Sequence, residues 1–142
     1  MILTYDVKNN FKPLKKLRGN DTTIWMMDFS LDSQTLICDS LLFFDMATGK
    51  HNPRGASTFK NETWATWTLR KGWPTQGIYA PCTMSDDINA VDRSPDGKIL
   101  ATGDDFGLVK LFKYPSPVPK AAYNQFSGHS SHVTNVMFTK NK

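Results

Sequence analysis

Apolar and polar residues alternate most regularly over residues 86–114, DDINAVDRSPDGKILATGDDFGLVKLFKY. Residues 87–94 place Ile88, Ala90 and Val91 among polar neighbours, as a half-buried strand does. Pro95-Asp96-Gly97 then forms a turn: proline presets φ, aspartate bonds its own backbone, and glycine accepts φ > 0. Residues 99–102 read as a buried strand, residues 104–107 turn the chain again, and 108–112 return with clean alternation. Strand, turn, strand, turn, strand within so short a span predicts an antiparallel meander and an all-β chain.

The same pattern recurs upstream in weaker form. Residues 2–7 read as a strand, 8–13 as a loop, and 15–19 as a short charged strand suited to an edge. Residues 24–30 form an apolar strand, 31–34 a turn, and 35–38 the next strand. Aligning Phe29-Ser30 with Arg93-Ser94 makes this a second copy, displaced by 64 residues. After Cys38-Asp39-Ser40 the first copy passes at once into Leu41 to Asp45, without the spacer that Gly103 to Gly107 supply in the second. With the second turn shortened in this way, either the hairpin is distorted or the chain has lost a few residues there. Residues 46–50 form a turn and 51–60 a polar loop. Alternating Trp and Thr over 62–69 predict an outer strand, and 72–79 a Gly/Pro-punctuated connection with its aromatics packed beneath. Three prolines in 115–119 make a stiff crossover, 121–126 another outer strand, and 133–139 the first strand of a third copy.

Composition changes this picture little. The chain has 142 residues, 39% hydrophobic and 21% charged, enough apolar content for a core and too little charge for a disordered tail. Its longest apolar runs fall far short of the roughly 18 residues that span a bilayer, so no membrane is expected. The N-terminus lacks the basic-then-apolar pattern of a secretion signal, and Cys38 and Cys82 are read as separate thiols. Net charge is +4, with one basic cluster at Lys12, Lys15, Lys16 and Arg18 that reads either as a solvated outer strand or as a surface for nucleic acid, an anionic membrane or an acidic protein face.

Candidate chemistry is sparse. Asp86-Asp87 and Asp104-Asp105 are paired carboxylates, but adjacent residues of a strand or turn point apart and do not share a substrate. Cys82, His129 and His132 lack a zinc-ligand spacing, and the loop 103–107 opens a strand with acids that repel phosphate. No enzyme activity, metal or cofactor is expected. A lower-ranked reading takes the basic residues with Trp64, Trp67 and Trp73 as a nucleic-acid surface, although aromatics at strand spacing serve core packing more often.

The run SPDGKILATGDDFGLVKLF (residues 94–112) resembles the inner part of a WD40 repeat, with Phe112 where a tryptophan normally stands. That resemblance implies a β-propeller, with residues 1–7 ending a blade, 12–46 a degenerate blade, 62–114 a blade, and 121–142 the start of another. About three blades fall short of the ~4–8 that close a ring. The expectation is a fragment or truncated product with open edges through which it self-associates. In WD40 blades a histidine, a Ser or Thr, the turn aspartate and the strand tryptophan share a buried hydrogen-bond network. Here Thr102 and Asp105 are the middle members, Phe112 replaces the tryptophan and has no N–H to donate, and His129 is the expected donor of the following blade. Beyond the repeat, GWPTQGI (72–78), DINAV (87–91), DDF (104–106), KLF (110–112), Tyr114-Pro115 and GHSSHVTNV (128–136) resemble the echinoderm microtubule-associated protein-like family, in its C-terminal propeller. This implies a non-catalytic protein of the cytoplasm and cytoskeleton that binds tubulin or microtubules or serves as a protein-interaction scaffold. The second reading is a nucleic-acid-binding β-protein, or a fragment without function of its own.

Overall fold

The computed structural model describes residues 1–79 and 87–139. The chain forms two compact units, Met1–Ala65 and Thr66–Lys142. Among the described residues ten short strands outweigh one four-residue helix and one 3-10 turn, so the fold is all-β.

In the first unit, β1 (Ile2–Asp6) and β2 (Lys12–Leu17) pair antiparallel, with a bulge at Leu14 between the Thr4–Lys15 and Tyr5–Pro13 partners. A four-stranded meander follows: β3 (Met27–Phe29), β4 (Thr35–Cys38), β5 (Phe43–Asp45) and β6 (His51–Asn52). Leu36, Cys38 and Phe44 share one face and pack with Ile2 and Leu17. Phe43 faces the other way, stacking on Phe59 at 5.7 Å and meeting Trp64 at 6.2 Å. The helical turn α1 (Gly55–Thr58) seats Gly55 so tightly on the Phe43 ring that a Cβ there would lie 2.3 Å from Cγ.

The second unit holds the other four-stranded meander, of β7 (Ile88–Arg93), β8 (Ile99–Asp104), β9 (Val109–Lys113) and β10 (Tyr123–Phe126). A 3-10 turn, Trp73–Ile78, docks on the proline-rich crossover: Gly77 N–H donates to Ser116 O at 2.6 Å, and Ser116 N–H to Pro74 O at 2.8 Å. A Cβ on Gly77 would come within 2.3 Å of Val118 O, so only glycine fits.

The two copies share one turn, bond for bond. Ser30 and Ser94 are both buried. Each hydroxyl donates to the carboxylate two residues on, Asp32 or Asp96, at 2.6 Å, and each accepts the N–H opening the next strand, from Thr35 at 2.8 Å or Ile99 at 2.9 Å. The fourth position is left-handed in both, Ser33 at φ 61° and Gly97 at φ 69°. Serine therefore holds a conformation for which glycine is the ordinary solution.

Several sequence expectations are corrected. The first hairpin is not distorted at its turn. Leu41 N–H donates to Cys38 O, Cys38 N–H to Leu42 O, and Leu41 takes φ 55°. The second hairpin does the same between Asp104 and Leu108, with Gly107 at φ 76°. Both loops have three residues ending in a left-handed one, a common hairpin connection. The shortening lies in the arms: eight positions separate Ser30 from Cys38, and ten separate Ser94 from Asp104. Removing two residues from each arm preserves which face each side chain occupies. Leu36 opposite Phe44 thus matches Leu100 opposite Phe112.

Residues 51–60, read as a loop, supply β6 and α1. Among the described residues, 62–69 form one bridge, Trp64 to Ser30, and no strand, while Trp64, Trp67 and Leu69 are buried. The apolar strand 24–30 contracts to β3, where Asp28 and Ser30 are buried and Trp25, Met27 and Phe29 are exposed. The strand 15–19 begins earlier, at Lys12. Trp73 is half-exposed rather than packed beneath its connection, and 133–139 pairs in no ladder among the described residues. Cys38 is a buried thiol, while Cys82 and Asp86 lie outside the described residues.

The serine hydroxyl first, then the N–H of Gln34 or Lys98, holds the carboxyls of Asp32 and Asp96 below the ordinary carboxylate range. Such groups stabilise the fold above the unfolded carboxylate pKa and lose that contribution as pH falls through the lower folded value. Urea midpoints should therefore fall as pH drops below about 4. Asp32→Asn with Asp96→Asn is expected to flatten that dependence.

Candidate functional site

The chemistry of the second unit gathers where β8 turns into β9. Along β8, Leu100, Thr102 and Asp104 alternate onto one face, and all three are buried. Asp104 is 2% exposed, and every part of it is engaged. Its Oδ1 accepts the N–H groups of Phe106 (3.0 Å) and Leu108 (2.9 Å), shaping the turn. Its Oδ2 accepts Lys110 Nζ at 2.9 Å. The ammonium also lies 5.6 Å from the Tyr123 ring centroid. Its backbone N–H donates to Leu108 O and its carbonyl accepts Val133 N–H.

Asp105 is a different group. It is half-exposed, and its Oδ1 accepts Asn89 Nδ2 at 2.7 Å and contacts His132 Nδ1 at 2.9 Å. Those two partners, Asn89 first, hold its carboxyl below the usual carboxylate range. Asn89 reaches it because the β7–β8 ladder slips there: Ile88 pairs with Asp104 but Ala90 with Gly103, leaving Asn89 as a bulge. Adjacent carboxylates thus have separate partners.

Of the network positions read from the sequence, Thr102 is buried on the face it shares with Asp104, Asp105 stands at the surface, and His129 is exposed. Among the described residues no side-chain hydrogen bond joins Thr102 to Asp105, the two members expected in this blade. The histidine that meets Asp105 is His132, and the acid in the buried position is Asp104. Phe112 is buried against Tyr123, ring centroids 5.3 Å apart. One signal could have singled out Asp104: Lys110 stands opposite Thr102, one pleat period from Asp104, and charges at such diagonal positions lie within reach.

The basic cluster divides. Lys15 extends its ammonium to the carbonyls of Met46 (2.9 Å) and Ala47, closing the β5–β6 turn. Asp45 organises that turn, its Oδ1 accepting Thr48 N–H at 2.6 Å and Thr48 hydroxyl at 2.7 Å. Lys12, Lys16 and Arg18 are exposed, with no carboxylate in ion-pair range among the described residues. Trp64 and Trp67 are buried and present no stacking face.

All 142 residues match the family described as the echinoderm microtubule-associated protein second beta-propeller. The chain belongs to that family. The two meanders are accordingly propeller-type sheets, and the WD repeat pattern of residues 94–112 is a family feature. The 77 kDa echinoderm microtubule-associated protein of Lytechinus variegatus is 40% identical over 146 aligned positions, covering 98% of this chain and 22% of that protein. Human echinoderm microtubule-associated protein-like 2 is 43% identical over 129, covering 88% and 20%. Echinoderm microtubule-associated protein-like 4 of Xenopus laevis is 37% identical over 147, covering 99% and 16%. The chain thus spans about a fifth of the length of these relatives.

Removing Lys110 would leave Asp104 buried without its countercharge, a loss of about 3 kcal/mol, at the low end because two N–H donors remain. Lys110→Met should lower the urea midpoint accordingly. Lys15→Met should cost about 1 kcal/mol, whereas Lys16→Met should stay within about 0.5 kcal/mol of the parent.

Proposed function

We propose that this chain is a non-catalytic protein-binding module that contributes blades to a propeller and associates with microtubules. The observation that carries the reading is the match of the full chain to a propeller family whose relatives are named for microtubule association. In this reading β1 and β2 are the outer strands of one blade, β3 to β6 a complete blade, and β7 to β10 the next. The cytoplasm and cytoskeleton are the corresponding location.

Charge supports the same reading. Lys12, Lys16 and Arg18 follow one another along β2 and its exit, exposed and without intramolecular ion pairs among the described residues. A cationic strip of that kind favours encounter with an acidic protein surface, and its effect weakens with salt. Lys15 is not part of the strip, because its ammonium is committed to the β5–β6 turn. The buried Asp104–Lys110 pair contributes to the blade and not to chemistry on a substrate.

Co-sedimentation of the monodisperse full chain with microtubules tests this. Saturable pelleting is expected, weaker on the order of tenfold when Lys12, Lys16 and Arg18 are all changed to Glu. Microtubules stripped of their acidic tails should likewise bind less. A folded chain that remains in the supernatant at low salt would contradict the proposal.

A further inference from the structure

Residues 128–138 lie across the end of the second meander as a strap. Val133 is the one well-buried residue in the stretch, its Cγ1 pressed where a Cβ on Gly103 would come within 2.5 Å. The other ties are polar. Val133 N–H donates to Asp104 O at 2.9 Å, and Phe138 N–H to Asp92 Oδ2 at 2.6 Å. Asn89 Nδ2 bridges Asp105 Oδ1 and Val133 O, at 2.7 and 3.3 Å. His132 Nδ1 meets Asp105 Oδ1 at 2.9 Å. Beneath the strap is an open cleft of about 240 Å³, lined by Ala101 and Val109 of the sheet and by strap side chains that include the polar His129 and Asn135.

We propose that the grip of this strap on the β8–β9 turn, and so access to the cleft, is set by the charge on His132. Histidine changes charge between about pH 5 and 8. Neutral, its ring donates an ordinary hydrogen bond through Nδ1 only in the Nδ1–H tautomer; protonated, it always donates there, with charge assistance and a shorter, stronger bond. The surroundings leave this pair intact. Asp104 is neutralised by Lys110, Asp92 is turned to Phe138 N–H, and Asp87 meets the turn through its carbonyl, which accepts Asp105 N–H. His129 presents its carbonyl to Gly107. Asp105 stays ionised through the histidine range, its carboxyl held low by Asn89 and His132. The grip therefore tightens as pH falls through the histidine range, and relaxes again only when Asp105 itself is protonated.

Amide hydrogen exchange on the full chain, corrected for intrinsic rates, reads this directly at Val133 and Phe138. Protection should be about threefold greater near pH 5.5 than near pH 8, the scale of an exposed charge pair. His132→Gln keeps a hydrogen-bonding side chain without the charge and should abolish the difference; Asp105→Asn should do the same, and His129→Gln should leave it in place. Equal protection at both pH values in the parent, or a difference that survives His132→Gln or Asp105→Asn, overturns the proposal, as does its loss in His129→Gln.

Discussion

The second four-stranded meander depends on one buried carboxylate. Asp104 sits at the end of β8 with its side chain closing the turn, its charge compensated by a lysine from β9, and its carbonyl receiving the segment that begins the next stretch of chain. An isolated carboxylate so deeply buried would be costly. Here two N–H donors and an ammonium occupy its oxygens, so the penalty of burial is offset and the geometry is fixed. Three local structures thereby share one residue: the three-residue loop, the β8–β9 register and the strap.

The first four-stranded meander reaches a similar shape without that group. Its hairpin is two residues shorter on each arm, and the buried Cys38 ends β4 where Asp104 ends β8. The loop conformation survives because it is carried by backbone bonds and one left-handed residue, Leu41 in place of glycine. What the copies share without change is the serine-anchored turn at Ser30 and Ser94. A hydroxyl that donates to the turn aspartate and accepts the following strand's N–H fixes where β4 and β8 begin, and hence which residues face inward. The even number of residues removed then leaves the apolar pairing of Leu36 with Phe44 equivalent to that of Leu100 with Phe112.

The meander of residues 88–113 was legible in the sequence, because its turns are spelled by Pro, Asp and Gly and its strands alternate. The family match extends the same reading over the whole chain. Less legible was anything decided by contacts distant in sequence. A gap in the first copy looks like a missing turn when the arms are assumed equal in length, and β6 has only two residues with no alternation to mark it. Trp64 and Trp67 alternate with threonines, yet their rings are buried without forming a strand. At the site, Asp104 and Asp105 are identical neighbours in the sequence. Their different fates follow from strand parity, which buries the first beside Lys110, and from a bulge at Asn89 that reaches the second. Lys15 and Lys16 divide for a similar reason, since opposite faces of β2 give one a pair of carbonyls and leave the other in solvent.

The most direct test of this account is the pattern of amide exchange in an Asp104→Ala chain. If the buried carboxylate unites turn, register and strap, protection should fall together at Phe106, Leu108 and Val133, although only the first two amides donate to its side chain. Protection at Val133 that stays at the parent level while the turn amides open would contradict it, and would mean that the strap is held by the valine side chain and its own polar ties.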